Sequence, residues 1–196
     1  MSDAVIVSAA RTPIGKAYRG LFNNTEAPTM GGLAIRAAVE RAGVDPAEID
    51  DVIMGCAMPQ GTTSLNVGRM AALAAGLPVT VSGMTMDRQC SSGLMAIATA
   101  AKQILHDGMR VAVGGGLEQI SLVQNEHQNG YRRVDPHLKA LHEHIYMPML
   151  HTAEIVAERY GISREAQDEY SFISQQRTAA AQAADAEGSE LAPVLV

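Results

Sequence analysis

Short apolar runs typical of β-strands alternate with helix-like runs over the first part of the chain. The strand-like runs cover residues 4–9, 51–57, 80–86 and 110–115, and helical spacing of apolar residues covers residues 30–42, 66–75 and 91–105. Gly43 and Gly76 stand where the first two helices should end, and residues 45–48 carry the capping pattern of a further short helix. This alternation predicts a layered α/β domain. The run at residues 4–9 is apolar almost throughout, which predicts a strand buried on both faces.

Composition and charge exclude several classes of protein. The 196 residues are 47% hydrophobic and carry a net charge of −6, with two cysteines. This apolar content is enough for a buried core, and the negative charge argues against a general nucleic-acid binder. No apolar run approaches the length of a membrane span, and the N-terminus lacks the features of a secretory signal. We therefore predict a soluble, cytoplasmic chain with free thiols and neither nucleic-acid nor membrane partners.

Cys90 is the best candidate for chemistry because it lies between a strand-like run and a helix-like run. A thiol at the start of a helix faces unpaired backbone N–H groups and the positive end of the helix dipole, and both favour the thiolate. The helix that follows has only Lys102 and Gln103 as long polar side chains, which predicts that protein surrounds it. We therefore predict that Cys90 is a catalytic nucleophile. Cys56 lies in an apolar run and is interpreted as part of the core.

Four segments of the chain carry recognisable motifs. They are Arg-Gln-Cys-Ser-Ser-Gly-Leu at residues 88–94, an opening strand and turn at residues 5–15, a glycine-rich strand end at residues 114–121, and a helix start at residues 162–168. In this order they resemble the thiolase family, which comprises acyl-CoA acetyltransferases and 3-ketoacyl-CoA thiolases, and residues 88–94 resemble its nucleophile segment. The resemblance implies a thiolase-like α/β core in residues 1–120, with a mixed five-stranded sheet and a buried helix. Residues 191–196 would begin a strand that returns to this core.

Residues 121–190 form a separate part of the predicted architecture. From residue 121 to about residue 150 the chain is polar, with no clear period, and helices are expected near residues 152–160 and 164–184. The resemblance identifies this part as an irregular loop subdomain that covers the active site. Within it, Thr152, Ala153 and Glu154 match a family segment, and Met149 matches a position that lines the acyl pocket. We therefore predict that Met149 binds substrate, although Pro148 and Leu150 replace the histidine and glycine of that segment.

The resemblance covers only the first of the two similar halves from which thiolases are built. A Gly-His-Pro motif and a second cysteine belong to the other half, and neither motif occurs in this sequence. We therefore expect half of an enzyme, either truncated or split, that pairs with a complementary half or forms a homo-oligomer. The implied reaction is acyl transfer between CoA thioesters through an S-acyl Cys90 intermediate, in thiolysis or in condensation. Coenzyme A is then part of the substrate, and no separate cofactor is expected.

Two other functions stay open at this stage. A relative of the β-ketoacyl synthases would place a cysteine similarly, but its segment typically reads Ala-Cys-Ser-Ser, whereas residues 89–93 read Gln-Cys-Ser-Ser-Gly. A non-catalytic subunit that only pairs with a complementary half is the second alternative.

Other tempting features have simpler interpretations. The spacing of five histidines matches no zinc pattern, so no metal site is predicted; they are His127, His137, His142, His144 and His151. Residues 114–116 are three glycines without the lysine of a phosphate loop, and they predict close backbone packing. Ser91 and Ser92 are expected to cap the helix. The basic cluster of Arg132, Arg133 and Lys139 is expected to lie in solvent.

Overall fold

The computed structural model describes residues 3–184, 188 and 190–194. They fall into two compact units, one within Met1–Asn129 and Glu190–Val196 and the other within Gly130–Ser189. The first unit continues past residue 120, where the sequence places the end of the core.

The first unit is built on three parallel strands, β1 (Asp51–Gly55), β2 (Ser82–Met86) and β3 (Ala112–Gly116). Strand β1 lies in the middle and is buried along its whole length. Its last residue, Gly55, pairs with the last residues of β2 and β3, Met86 and Gly116. The carboxyl ends of all three strands therefore lie at the same edge of the sheet.

Helices cover both faces of this sheet. The helices of the first unit are α1 (Ala27–Ala42), α2 (Val67–Ala74), α3 (Ser92–His106) and α4 (Ile120–Val123), with 3-10 turns at Pro46–Glu48 and Gly61–Thr63. Side chains alternate along β1, so that Val52 and Met54 join the core with α1 and α2, whereas Ile53 packs with Ala96 and Ala100 of α3. The predicted layered α/β architecture is thereby confirmed, and Gly43 ends α1 with a φ of 65° as expected.

The prediction of a buried strand at residues 4–9 is wrong. No strand forms there, and Val5, Ile6 and Val7 expose 72%, 82% and 68% of their surface. The segment borders a groove of about 410 Å³ whose other side includes β3. An apolar run shows what a segment can bury, but the pairing partner that would complete a ladder is a property of the tertiary structure. The described residues therefore hold a parallel sheet of three strands rather than a mixed sheet of five.

The expectation that protein surrounds α3 is also wrong. The sheet covers one face, where Ser92, Ala96 and Ala100 are buried. Leu94 on another face exposes 72% of its surface, and Ile97 and Leu105 are exposed as well. An apolar helix with one covered face leaves an apolar stripe on the surface of this unit.

The end of the described chain contacts the turn after residues 4–9. Leu191 forms an isolated parallel bridge with Arg11, and the N–H of Ala192 donates to the Arg11 carbonyl over 2.8 Å. The returning strand predicted for residues 191–196 includes Leu195 and Val196, which lie outside the described residues.

The described residues of the second unit form three helices, α5 (Pro136–Leu141), α6 (Met149–Tyr160) and α7 (Arg164–Ala183). The last two agree with the helices expected from the sequence, whereas α5 lies in the stretch without a clear period. Asp135 begins α5 by accepting hydrogen bonds from the N–H groups of His137 and Leu138. Among the described residues of the chain, no helix is both long and apolar enough to cross a membrane.

Candidate active site

Cys90 lies beyond the carboxyl edge of the sheet, in the turn that joins β2 to α3. The N–H of Cys56, which follows β1, donates to the Met86 carbonyl over 3.0 Å, and the N–H of Leu117, which follows β3, donates to the Gly55 carbonyl over the same distance. The loops after all three strands thus start side by side. In open parallel sheets this edge is where ligands bind.

Glycines at this edge allow α3 to approach the sheet closely. A Cβ at Gly55 would lie 2.2 Å from the backbone carbon of Ser92, and a Cβ at Gly116 would lie 3.0 Å from the Cα of Gly93. The close backbone packing predicted for residues 114–116 is therefore confirmed at Gly116 and also at Gly114, where a Cβ would lie 2.8 Å from the Cα of Ile97, but at Gly115 the nearest atom is the side-chain sulfur of Met54. The packing at Gly55 and Gly116 fixes the first turn of α3 against the ends of β1 and β3 and so sets the position of the Cys90 turn.

The turn itself is held by short polar contacts. The carboxylate of Asp87 accepts the N–H of Gln89 over 2.7 Å, and the Ser91 hydroxyl donates to the Arg88 carbonyl over 2.9 Å. The buried Ser92 hydroxyl accepts the N–H of Arg88 over 2.8 Å and donates to the Gln89 carbonyl over 2.5 Å. The prediction that these serines cap α3 is wrong: Ser91 is the N-cap residue but makes no capping hydrogen bond with its side chain.

Gln89, the residue before the cysteine, adopts a φ of 52°. This left-handed conformation is uncommon for residues other than glycine and persists only where neighbouring contacts maintain it. Cys90 itself is exposed, one residue before the N-cap of α3. The structure therefore places a free, accessible thiol in a constrained turn at the N-terminal end of an α-helix.

Cys56 has the opposite environment. It is 1% exposed, and burial raises the pKa of its thiol to about 11, with the charge of Glu118 acting in the same direction. The Glu118 carboxylate accepts the N–H groups of Ala57 and Met58 and so joins the loops after β1 and β3. The interpretation of Cys56 as a core residue is confirmed, and both cysteines are free.

The other candidate residues lie in the second unit or at its border. Met149 is the first residue of α6 and exposes 77% of its surface. Its role as a substrate-binding residue stays a prediction. Arg132, Arg133 and Lys139 are exposed. Among the residues that the structure describes, no three side chains of histidine, cysteine, aspartate or glutamate are grouped as a metal site would require.

Sequence reasoning missed the contacts that shape the Cys90 turn. Asp87 carried a recognisable signal, because aspartate often accepts the N–H two residues later in a turn. The bridging role of Ser92 carried no comparable signal, since serine before an apolar helix is the common pattern of a cap.

Comparison with known proteins gives a consistent result. The family described as "Thiolase, N-terminal domain" matches residues 4–196. A 3-ketoacyl-CoA thiolase of Bacillus subtilis is 41% identical over the whole chain, which covers 50% of that relative, and an acetyl-CoA acetyltransferase of Cupriavidus necator is 40% identical, with 52% covered.

A solved structure agrees with these relatives. The crystal structure of the Bacillus anthracis acetyl-CoA acetyltransferase matches the whole chain with a TM-score of 0.83 and 36% identity, over 52% of its own length. The chain thus spans about half the length of the relatives it matches. It belongs to the thiolase family, and it corresponds to the N-terminal domain of that family.

Proposed function

We propose that this chain supplies the nucleophilic half of a thiolase-type acyltransferase that acts on CoA thioesters. The observation that carries the proposal is the exposed thiol of Cys90 at the N-terminal end of α3, beside the carboxyl edge of the sheet, in a chain of this family. The N-terminal end of a helix carries a partial positive charge and stabilises a thiolate, which is the reactive form of cysteine.

The proposed reaction has two steps. In condensation, the Cys90 thiolate attacks the thioester carbonyl carbon of an acyl-CoA, a C–S bond forms, and CoA leaves as its thiolate when the tetrahedral intermediate collapses; the acyl group then passes to the carbanion of acetyl-CoA. In thiolysis, the thiolate attacks the keto carbon of a 3-ketoacyl-CoA, the C2–C3 bond breaks, and acetyl-CoA leaves as a carbanion that takes up a proton; the acyl group then passes to the thiolate of free CoA. The backbone N–H of Cys90 would help to stabilise the oxyanion of each tetrahedral intermediate, whereas the N–H groups of Ser91 and Ser92 already donate to the carbonyls of Arg88 and Gln89.

The proposed reaction also needs groups that transfer protons. The resemblance assigns them to a histidine and a second cysteine of the other thiolase half, which is why we propose a complementary half or a second subunit as partner. The exposed apolar side chains of Val5, Ile6, Val7 and Leu94 support this, because large apolar surfaces on a soluble unit mark contacts with other chains. Met149 would contribute to the acyl pocket of the assembled enzyme.

We also propose a cytoplasmic role in the metabolism of fatty acids or related acyl-CoA compounds. The two free thiols fit a reducing compartment. Relatives named 3-ketoacyl-CoA thiolase support the metabolic role, although one of them, from Arabidopsis thaliana, is named as peroxisomal. Fractionation of cells that express the tagged chain tests the location directly.

Complementation tests the catalytic proposal. The chain is mixed with the separately produced C-terminal half of a thiolase relative, and cleavage of acetoacetyl-CoA by added CoA is followed by the loss of its absorbance. We expect activity from the mixture, none from either half alone, and none from a mixture that contains the Cys90→Ser variant. The mass of the intact chain after incubation with acetyl-CoA should show one acetyl group on Cys90 and none in the variant.

The outcomes separate the proposal from its alternative. A stable complex without turnover or acylation would favour a subunit whose role is only to pair. Activity that survives Cys90→Ser would rule out the proposed nucleophile.

A further inference from the structure

The buried hydroxyl of Ser92 stands out because both of its hydrogen bonds reach back into the turn that carries Cys90. Ser92 is 4% exposed and is the first residue of α3. Its hydroxyl accepts the N–H of Arg88 and donates to the carbonyl of Gln89, the two residues that precede the cysteine. The single hydroxyl proton is donated to the Gln89 carbonyl, and the N–H that the oxygen accepts belongs to the turn rather than to the first turn of α3, so the hydroxyl serves the turn and does not cap the helix.

The two hydrogen bonds of the Ser92 hydroxyl lie on either side of Gln89, the strained residue of the turn. Gln89 has a φ of 52°, and its own N–H donates to Asp87 over 2.7 Å. Strain of this kind persists only when surrounding contacts determine it, and here they come from Asp87 on one side and Ser92 on the other, whose backbone N–H also donates to the Gln89 carbonyl over 3.0 Å. If the hydroxyl is removed, this carbonyl loses one of its two donors, so the left-handed conformation is held less firmly and Cys90, the next residue, can shift with it.

Ser92 also connects this turn to the sheet. Its backbone carbon lies 2.2 Å from the position that a Cβ on Gly55 would occupy, so the residue is packed directly on the end of β1. Because the backbone of Ser92 is anchored on β1, its hydroxyl can hold the Cys90 turn in a fixed position relative to the sheet.

We infer that Ser92 is a positioning residue, which holds Gln89 in its left-handed conformation and thereby fixes the Cys90 thiol at the N-terminal end of α3. This inference rests on the proposed function, because it assigns Ser92 a role in preparing the proposed nucleophile. Ser92 does not touch the reacting atoms in this account. Its contribution is to keep the sulfur beside the positive end of the α3 dipole.

The test measures the alkylation of Cys90 by iodoacetamide between pH 6 and pH 9, with each rate divided by the rate for the same chain in denaturant. The buried Cys56 reports unfolding within the same sample. We expect Ser92→Ala to slow Cys90 by about tenfold at neutral pH, whereas Ser92→Thr, which keeps the hydroxyl, should stay within about threefold of the unmodified chain. Thr99→Ala is the matched control, because its hydroxyl donates to the Met95 carbonyl within α3 and to the Met86 sulfur of β2 over 3.8 Å, both outside the turn at residues 87–91.

A second pair of variants keeps the test informative if Ser92→Ala alone does not fold. Glycine adopts a φ of 52° without strain, so Gln89→Gly should tolerate the loss of the hydroxyl. In that background, Ser92→Ala should change the rate of Cys90 by less than about twofold, because no strained conformation is left for the hydroxyl to hold. A loss of about tenfold in the Gln89→Gly background as well would show that the hydroxyl does not act through residue 89 and would overturn the inference.

Two further results are decisive in different ways. If Ser92→Ala lowers only the melting temperature and leaves the rate and pH profile of Cys90 unchanged, Ser92 is merely structural, and the proposed function stands. If Cys90 in the folded, unmodified chain reacts no faster than in denaturant, the activated nucleophile and the role of Ser92 are both rejected.

Discussion

At the scale of single residues, the carboxylate of Asp50 joins the segment before β1 to the segment before β3. It accepts the N–H groups of Arg110 and Val111 over 2.7 and 3.3 Å, and these hydrogen bonds hold the pKa of Asp50 below its ordinary value. A lowered pKa in the folded state means that the charged form stabilises the fold. This contribution is complete above about pH 5 and is lost as the pH falls below about 4, through the folded pKa.

The pH dependence of stability checks this role. Asp50→Asn keeps an acceptor oxygen but cannot titrate, so the acid side of its stability curve should be flatter than that of the unmodified chain. Urea unfolding at several pH values between 2 and 7 measures the difference, with Asp107→Asn as a control for the loss of one negative charge. Parallel curves for the Asp50 variant and the unmodified chain would contradict the prediction.

Cys56 should affect the stability of the fold at alkaline pH. Burial raises the pKa of its thiol from 9.0 to about 11, so the fold favours the neutral thiol. The resulting stability is present below pH 9 and is lost as the pH rises through 11. Urea unfolding between pH 7 and pH 11 should therefore show that the unmutated chain loses stability as the pH rises. Cys56→Ala should itself cost about 1–2 kcal/mol because the buried sulfur is lost, but the stability of this variant should fall less over the same pH range.

For the two cysteines, the sequence predicted the surroundings of each thiol but not the contacts that hold the Cys90 turn. An apolar neighbourhood identified Cys56 as a core residue, and the position between a strand and a helix identified the turn of Cys90. The contacts within that turn could not be predicted, because the partners of Ser92 depend on the left-handed conformation of Gln89, which no residue type in the segment requires. Sequence places the thiol near a helix start, and tertiary packing decides its orientation.

At the scale of elements, the contact of α3 with β1 depends on the absence of a side chain at Gly55. A Cβ there would lie 2.2 Å from Ser92 backbone and 2.4 Å from the nitrogen of Gly93, and backbone atoms cannot move aside cheaply. Gly55→Ala should therefore cost about 3 kcal/mol or more of unfolding free energy, or prevent folding.

Gly115→Ala is the matched control for this substitution. The nearest atom to its added Cβ is the sulfur of Met54 at 3.3 Å, which belongs to a flexible side chain. This variant should cost no more than about 1 kcal/mol in urea unfolding. Similar costs for both substitutions would mean that the helix contact contributes little to stability.

An apolar run in the sequence did not by itself distinguish a strand from a segment that lacks a pairing partner. Strand β1 was expected from its apolar run and is buried at every position. Residues 4–9 have an equally apolar run but form no strand, because their neighbours in the described structure provide no ladder. The two runs look alike in sequence and differ in whether a paired neighbour lies beside them.

At the scale of the whole molecule, Arg41 connects three separate parts of the first unit. From α1, its guanidinium donates to the carbonyls of Ala9, Glu190 and Leu191 over 2.7 to 3.1 Å. Arg41→Ala should lower the unfolding free energy by about 1–2 kcal/mol, because these charge-assisted bonds are exposed. Hydrogen exchange should report a local effect, with faster exchange at the N–H of Ala192.

Arg36→Ala separates this effect from a general loss of charge on α1. Its guanidinium donates to the carbonyls of Ala74 and Ala75 at the end of α2. That variant should destabilise α2 but leave the exchange of Ala192 unchanged. Equal acceleration in both variants would show that the Arg41 contacts do not hold the end of the described chain.

The second unit should be the less stable part of the molecule. Helices α5, α6 and α7 contain no buried residue. Their described support is local: Gly161 ends α6, the Ser163 hydroxyl accepts the N–H of Ala166, and Arg164 pairs with Asp168. Helices that bury little apolar surface are marginal in water, and caps and ion pairs contribute only about 1 kcal/mol each or less.

Amide hydrogen exchange in the isolated chain tests this difference. We expect amides in Met149–Tyr160 and Arg164–Ala183 to exchange at least about a hundredfold faster than those of β1, because they open without unfolding of the sheet. Ser163→Ala should accelerate exchange in α7 further and leave β1 unchanged, since it removes one cap worth about 1 kcal/mol. Protection of α6 and α7 equal to that of β1 would contradict the prediction and would require stabilising contacts beyond these local ones.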